Sequence, residues 1–123
     1  MSHKIVHWEI MGPDGDALNA FYGEMFGWTS EAVPGFDSYH MVPADDTAVA
    51  GAVGKGMEQM PSYLTMYIEV DDVDEHLAKA EAAGGKTLVP KTVVPDIVTF
   101  GMMADPAGNM VGLVERDTPA AAE

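Results

Sequence analysis

Residues 4–27, KIVHWEIMGPDGDALNAFYGEMFG, and residues 64–85, LTMYIEVDDVDEHLAKAEAAGG, decide the fold when they are set side by side. Each begins with apolar and polar residues in strict alternation, the signature of a half-buried strand. In the first, Val6, Trp8 and Ile10 share one face, and His7, Glu9 and Met11 share the other. In the second, Leu64, Met66, Ile68 and Val70 oppose Thr65, Tyr67 and Glu69. An aspartate then stands where a helix N-cap is wanted, Asp14 or Asp16 in one copy and Asp72 or Asp74 in the other. The apolar spacing changes to that of a helix at Leu18, Phe21, Tyr22, Met25 and Phe26, and again at Val73, Leu77, Ala80 and Ala83. Gly27 and Gly84-Gly85 end the two helices, as left-handed caps do.

A repeat at about half the chain length means two copies of one supersecondary unit. After the first helix the pattern predicts strands over 29–33, 37–42 and 48–53, with turns at Pro34-Gly35 and Ala44-Asp45-Asp46. Residues 55–62 read as the linker. After the second helix it predicts a strand over 86–89 and a loop over 90–96, long enough to act as a rim or lid. A hairpin over 97–103 and 109–115 then turns at Asp105-Pro106-Ala107-Gly108-Asn109. The order is βαβββ twice, an α+β chain in one domain: module one over about 1–56, module two over about 62–117, and a frayed tail over 118–123. Two similar units leave a cleft, where binding or chemistry is expected. Trp8, Phe21, Tyr22 and Phe26 are expected in the helix-to-sheet core.

The chain has 123 residues, no cysteine and a net charge of −14. Disulfides and thiolate metal sites are therefore excluded, and a reducing cytoplasm is the expected setting. No apolar run approaches the roughly 20 residues of a spanning helix, and the first residues carry no apolar signal region. Such a negative surface repels phosphate backbones and anionic membranes, so nucleic acid and membrane are excluded as partners. Arg116 is the only arginine, which leaves one bidentate anion clamp and favours a neutral or cationic small molecule. There is no Ser-His-Asp or Cys-His order, and Gly51 to Gly56 lacks the spacing of a phosphate loop.

Several pieces together resemble the vicinal oxygen chelate superfamily, which includes glyoxalase I, bleomycin-resistance proteins and extradiol dioxygenases. They are His7 on the first strand, Phe21-Tyr22 through Phe26-Gly27-Trp28, Tyr67-Ile68-Glu69-Val70-Asp71-Asp72, and Asp105-Pro106-Ala107-Gly108-Asn109. The nearest likeness is to a glyoxalase-like branch without a proven reaction. The resemblance implies paired βαβββ modules curled into an open mixed sheet with a concave cleft. It also implies a homodimer, which exposed strand edges favour. Metal-using members of the family place one ligand on each of four strands. At those positions this chain has His7, Thr65, Gly51 or Ala52, and Gly112. One ligand in four is retained, whereas a catalytic divalent site needs about three.

The expectation is therefore a degenerate metal site with no cofactor needed. The alternative is a divalent metal in a shifted set of His7, Glu9 and Glu69. His7 with Glu9 or Glu69 would serve as an acid–base pair, because a nearby carboxylate raises an imidazole pKa, and Tyr67 would donate to a carbonyl. Thr65, Tyr67, His40 and Met103 are carried as ligand-binding candidates. One of Met102 and Met103 must face the cleft, and the face of His40 is left open. His3 and His76 read as surface residues. The first functional reading is a glyoxalase-like protein that binds a small organic molecule. The others are a metal-dependent lyase, isomerase or dioxygenase, and a resistance protein that sequesters a cationic or aromatic compound.

Overall fold

The structure is a computed structural model and describes residues 2–115. Arg116 and the tail expected to fray lie outside the described residues. The elements are β1 (Ile5–Gly12), α1 (Gly15–Phe26), β2 (Glu31–Ala32), β3 (Tyr39–Val42), α2 (Ala44–Thr47), β4 (Gly51–Lys55), β5 (Tyr63–Val70), α3 (Val73–Ala82), β6 (Lys86–Val94), β7 (Val98–Ala104) and β8 (Met110–Glu115). The class is α+β, as the alternating patterns predict. The chain divides into two compact units: Val6–Thr65, and the first five residues together with the segment from Met66 onward.

In the unit Val6–Thr65 the strand order is β2-β3-β4-β1, with β1 parallel to β4 and the other pairs antiparallel. Asp14 is the N-cap of α1: its carboxylate accepts from the Ala17 N–H at 3.1 Å. Gly27 ends the helix at φ 72°, where a β-carbon would be strained. On the helix side of the sheet the Trp8 ring lies across Gly51, where an added β-carbon would fall inside the indole. The indole N–H donates to Val49 O at 2.5 Å, and the ring stands 5.1 Å from that of Trp28. Asp14→Ala is expected to lower stability by about 1 kcal/mol, seen as a lower denaturant midpoint with an unchanged slope.

Two expectations for this unit are corrected. Phe21 and Phe26 are not core residues, since they are 51% and 61% exposed. Five apolar residues in α1 make a stripe wider than the contact it has. Tyr22, half-buried, stacks on Trp28 at 5.8 Å, with the exposed Phe26 ring tilted against Trp28 at 5.4 Å. Ala44 to Asp46 is a one-turn helix instead of a plain turn, and β4 starts at Gly51 instead of Ala48. Ala48 stands at φ 75°, and Val49 O is taken by the Trp8 and Thr47 side chains. Neither residue is therefore available to the ladder.

In the other unit the order is β5-β8-β7-β6, with β5 parallel to β8 and the rest antiparallel. Asp72 caps α3 by accepting from Glu75 N–H at 3.1 Å. The core is Val70, Val73, Leu77 and Leu113, with Met103 packed against it. Gly101 lets α3 sit low on the sheet: a β-carbon there would meet Val73 Cγ1 at 2.8 Å. Ala83, expected to be buried, is exposed.

The expected loop over 90–96 is also corrected. β6 runs on to Val94, and only a tight turn at Asp96, φ 65°, separates it from β7. Pairing passes from Val89↔Met102 to Thr92↔Phe100, so β6 spends one residue more than β7. That bulge absorbs Pro90 on the strand at the end of the order, where a missing N–H is tolerated. No long lid exists here.

Candidate functional site

Sheet register sorts the side chains of the unit Val6–Thr65. Glu9 pairs with Ala52, which pairs in turn with Met41, and Met11 pairs with Gly54, which pairs with Tyr39; these share the face that His7 joins by alternation. Trp8, Gly51 and Val42 lie on the helix face, as do Ile10, Val53 and His40. Tyr39 starts on β3, two strands from β1. Its ring passes over Gly54 of β4, where an added β-carbon would stand 3.0 Å from Tyr39 Cδ1. The bare glycine lets the phenol reach β1.

There the Tyr39 hydroxyl donates to Glu9 Oε2 at 2.5 Å, a length typical of a hydroxyl-to-carboxylate bond. His7 Nε2 lies 2.9 Å from the same hydroxyl oxygen. Because the phenolic proton points to Glu9, His7 must donate at Nε2. The order of donation is therefore His7 to Tyr39 to Glu9. Glu9 is only 6% exposed, a placement a carboxylate tolerates only when hydrogen-bonded. The expected rise in the His7 pKa does not occur. Burial dominates and pushes it from 6.5 down to about 4, so the imidazole is neutral at physiological pH. Tyr63 belongs to the same neighbourhood: burial, and then the Glu9 charge, raise its phenol far above the usual range.

His40 is not part of this cluster. It lies on the helix face, with Nε2 2.8 Å from Asp16 Oδ1 of α1. Ser38 Oγ donates to the same oxygen at 2.6 Å, and these two bonds hold the Asp16 carboxyl below its usual pKa. One acceptor serving both groups is not a nucleophile–base arrangement, because serine and histidine both face the aspartate.

In the unit that contains β8, Tyr67 repeats the device of Tyr39. It crosses Gly112, its partner on β8, and its hydroxyl reaches Met102 Sδ on β7 at 3.9 Å. Met102 thus shares the face of Tyr67. Met103, the residue carried from the sequence, packs on the helix-side core instead. Glu69 is half-buried; its main chain bonds to Lys4 O at 2.9 Å and to the His3 ring at 3.0 Å. Thr65 is half-buried. Tyr39 and Tyr63 were missed in the sequence. The signal for Tyr39 was a tyrosine in register with a glycine two strands from a histidine, which needs the strand order to be seen.

The residues present do not fit the four-ligand metal site of the family. An added β-carbon at Gly112 would run into the Tyr67 ring, and one at Gly51 into that of Trp8. Ala52 and Thr65 supply no strong ligand. Among the described residues no three His, Asp or Glu side chains are gathered to hold a metal ion. An open groove between Pro13, Asp37 and the turn 55–58 is lined by none of His7, Glu9 and Tyr39, and so lies apart from their chemistry. Among the described residues no helix is long and apolar enough to cross a membrane.

Comparison with known proteins agrees with the fold. "Putative glyoxylase CFP32" of Mycobacterium tuberculosis is 29% identical over 109 residues, covering 87% of this chain and 42% of that protein. "Anthracycline biosynthesis protein DnrV" of Streptomyces peucetius is 31% identical over 116 residues, covering 81% of this chain and 42% of that protein. The chain thus spans about two fifths of the length of these curated relatives. A solved glyoxalase/bleomycin resistance protein/dioxygenase superfamily member from Vibrio splendidus 12B01 superposes with a TM-score of 0.61 at 13% identity, over 93% of this chain and 98% of that one. Methylmalonyl-CoA epimerase from Mycobacterium tuberculosis gives 0.63 at 14% identity, over 97% and 91%. These two likenesses speak to the fold alone. The glyoxalase-like domain model matches residues 9–114, from Glu9 on β1 to the penultimate residue of β8. The chain therefore belongs to the glyoxalase-like domain family, within the vicinal oxygen chelate superfamily.

Proposed function

We propose that this chain binds a small organic molecule on the sheet face of His7, Tyr39 and Glu9, and that it does so without the four-ligand metal of its superfamily. The observation that carries this reading is the donor chain from His7 through Tyr39 to the buried Glu9. A neutral imidazole and a polarised phenol suit a ligand carbonyl or hydroxyl, and buried charge beside them suits a ligand with a cationic group. Catalysis by this set would be proton transfer beside a carbonyl, with Glu9 the group that takes the proton. Thr65 remains a proposed contact of this molecule, and Tyr67 and Glu69 remain proposed ligand contacts within their own unit. The same reading takes a homodimer in a reducing cytoplasm as the working form. Leu64, 70% exposed on β5, and the lack of cysteine support it.

A second reading, sequestration of a flat cationic compound, is supported by the net charge of −14 and by a relative named for anthracycline biosynthesis. Titration of untagged protein with an anthracycline and with a neutral aromatic ketone tests both. Binding is expected to survive chelator and to weaken about tenfold in Tyr39→Phe, the equivalent of one hydrogen bond. Loss of binding on chelation would refute the metal-free reading. Salt-weakened anthracycline binding without turnover would favour sequestration.

A further inference from the structure

We propose that His3 and His76 form a surface site for a transition-metal dication, separate from the cluster of His7, Tyr39 and Glu9 and within one compact unit. Both histidines read as isolated surface residues in the sequence. In the structure their rings stand 5.0 Å apart, nearly perpendicular at 83°. His3 Nδ1 lies 3.0 Å from Glu69 O, and His76 Nδ1 lies 3.3 Å from Asp72 O. A carbonyl oxygen can only accept, so each ring carries its proton on Nδ1 and keeps the Nε2 lone pair. That tautomer, held by a backbone carbonyl, is the one that metal-binding histidines adopt.

The spacing agrees with shared coordination. Two imidazoles bound through nitrogen to one tetrahedral ion, at about 2.0–2.1 Å each, place their ring centres about 5 Å apart. The pair is also preorganised. Glu69 N–H donates to Lys4 O at 2.9 Å, so the residue next to His3 is tied by a main-chain bond and His3 by its ring. His76 is fixed on the second turn of α3. The N-terminal half-charge of that helix opposes a cation. Asp72 caps that helix end, Asp74 and Glu75 stand in its first turn and Asp71 precedes it, so four carboxylates along this stretch of chain offset it.

Two imidazole ligands with open positions for water select by ligand type, and the preference rises through cobalt and nickel to copper. Binding would clip residue 3 to residue 76 and stabilise the folded unit by mass action.

The test uses untagged protein titrated with Co(II), followed by visible absorption and calorimetry, and with Zn(II), followed by melting temperature. One ion per chain is expected. Affinity should fall more than roughly tenfold in both His3→Gln and His76→Gln, while His7→Gln leaves it unchanged. Unbound variants should melt as the parent does. Absence of binding overturns the proposal. Binding that survives in His76→Gln also overturns it, because the ligand would then be His3 with neighbouring backbone nitrogens. So does loss in His7→Gln, which would move the ion to the family position.

Discussion

Gly112→Glu, which would restore a ligand at a family metal position, is expected to destabilise the protein by about 3 kcal/mol or more and to gain no metal. Overpacking a tight site commonly costs about 1–3 kcal/mol, and a carboxylate placed there adds a desolvation cost. The obstacle is identifiable. The Tyr67 ring, 8% exposed, occupies the space above Gly112, and its Cγ would stand 2.8 Å from an added β-carbon. The near side of an aromatic ring cannot swing away as the tip of a lysine can. Tyr67→Ala alone should cost about 3–5 kcal/mol through the cavity it leaves. The double variant should then cost less than the sum by at least about 1 kcal/mol, the coupling expected of residues in contact. Denaturant titration of all four proteins measures this. Strict additivity would mean that Tyr67 is not what bars a side chain at 112.

The second large effect is on pH. Stability should fall as pH drops from about 6.5 to about 4, by roughly 3 kcal/mol in total, and His7→Gln should abolish that slope. The His7 pKa is about 4 in the folded protein against 6.5 when unperturbed. Between these values the unfolded chain binds the extra proton, so stability rises with pH through the window and is complete above it. The magnitude follows from about 1.4 kcal/mol per unit of pKa. Asp16, Asp46 and Asp105 also have lowered pKa values, through bonds from Ser38, Thr29 and Asn109 respectively. An ordinary aspartate titrates near 3.8, so their loss falls at more acid pH, below the His7 window. Thermal melts across pH 3.5–7.5 on the parent and His7→Gln separate the two. An equal slope in both proteins would place the titrating group elsewhere.

The fold was legible because period and punctuation agreed. Asp14, Gly27, Asp72 and Gly84 mark the helix ends as the alternation marks β1 and β5. Pro90 misled because a proline ends a central strand but not an edge strand with a bulge to receive it. For the site, His7 and Glu9 could be assigned to one face from β1 alone. Their partner Tyr39 could not be found from sequence spacing, because it depends on a glycine in an intervening strand. The sign of the His7 shift was misread for a related reason. Sequence adjacency showed a carboxylate nearby but not the burial that outweighs it. The face of His40 was left open, and Met103 was carried where Met102 stands, because strand register, which fixes both, is a property of paired strands.

The division of the chain has a consequence for its synthesis. The first residues belong to the unit completed by the segment from Met66 onward, and the His3 ring finds Glu69 at a sequence separation of 66. As the chain leaves the ribosome, these residues are made before their partners, which emerge only after the whole segment Val6–Thr65. That segment holds its own four-stranded sheet and can order while it waits. Closing so long a loop carries an entropic cost that grows only slowly with length, but an early strand end without its partner is a site for mispairing. Docking of residues 3–4 on Glu69 therefore waits until Glu69 has emerged, and slowing translation across the segment Val6–Thr65 should lengthen the exposed interval.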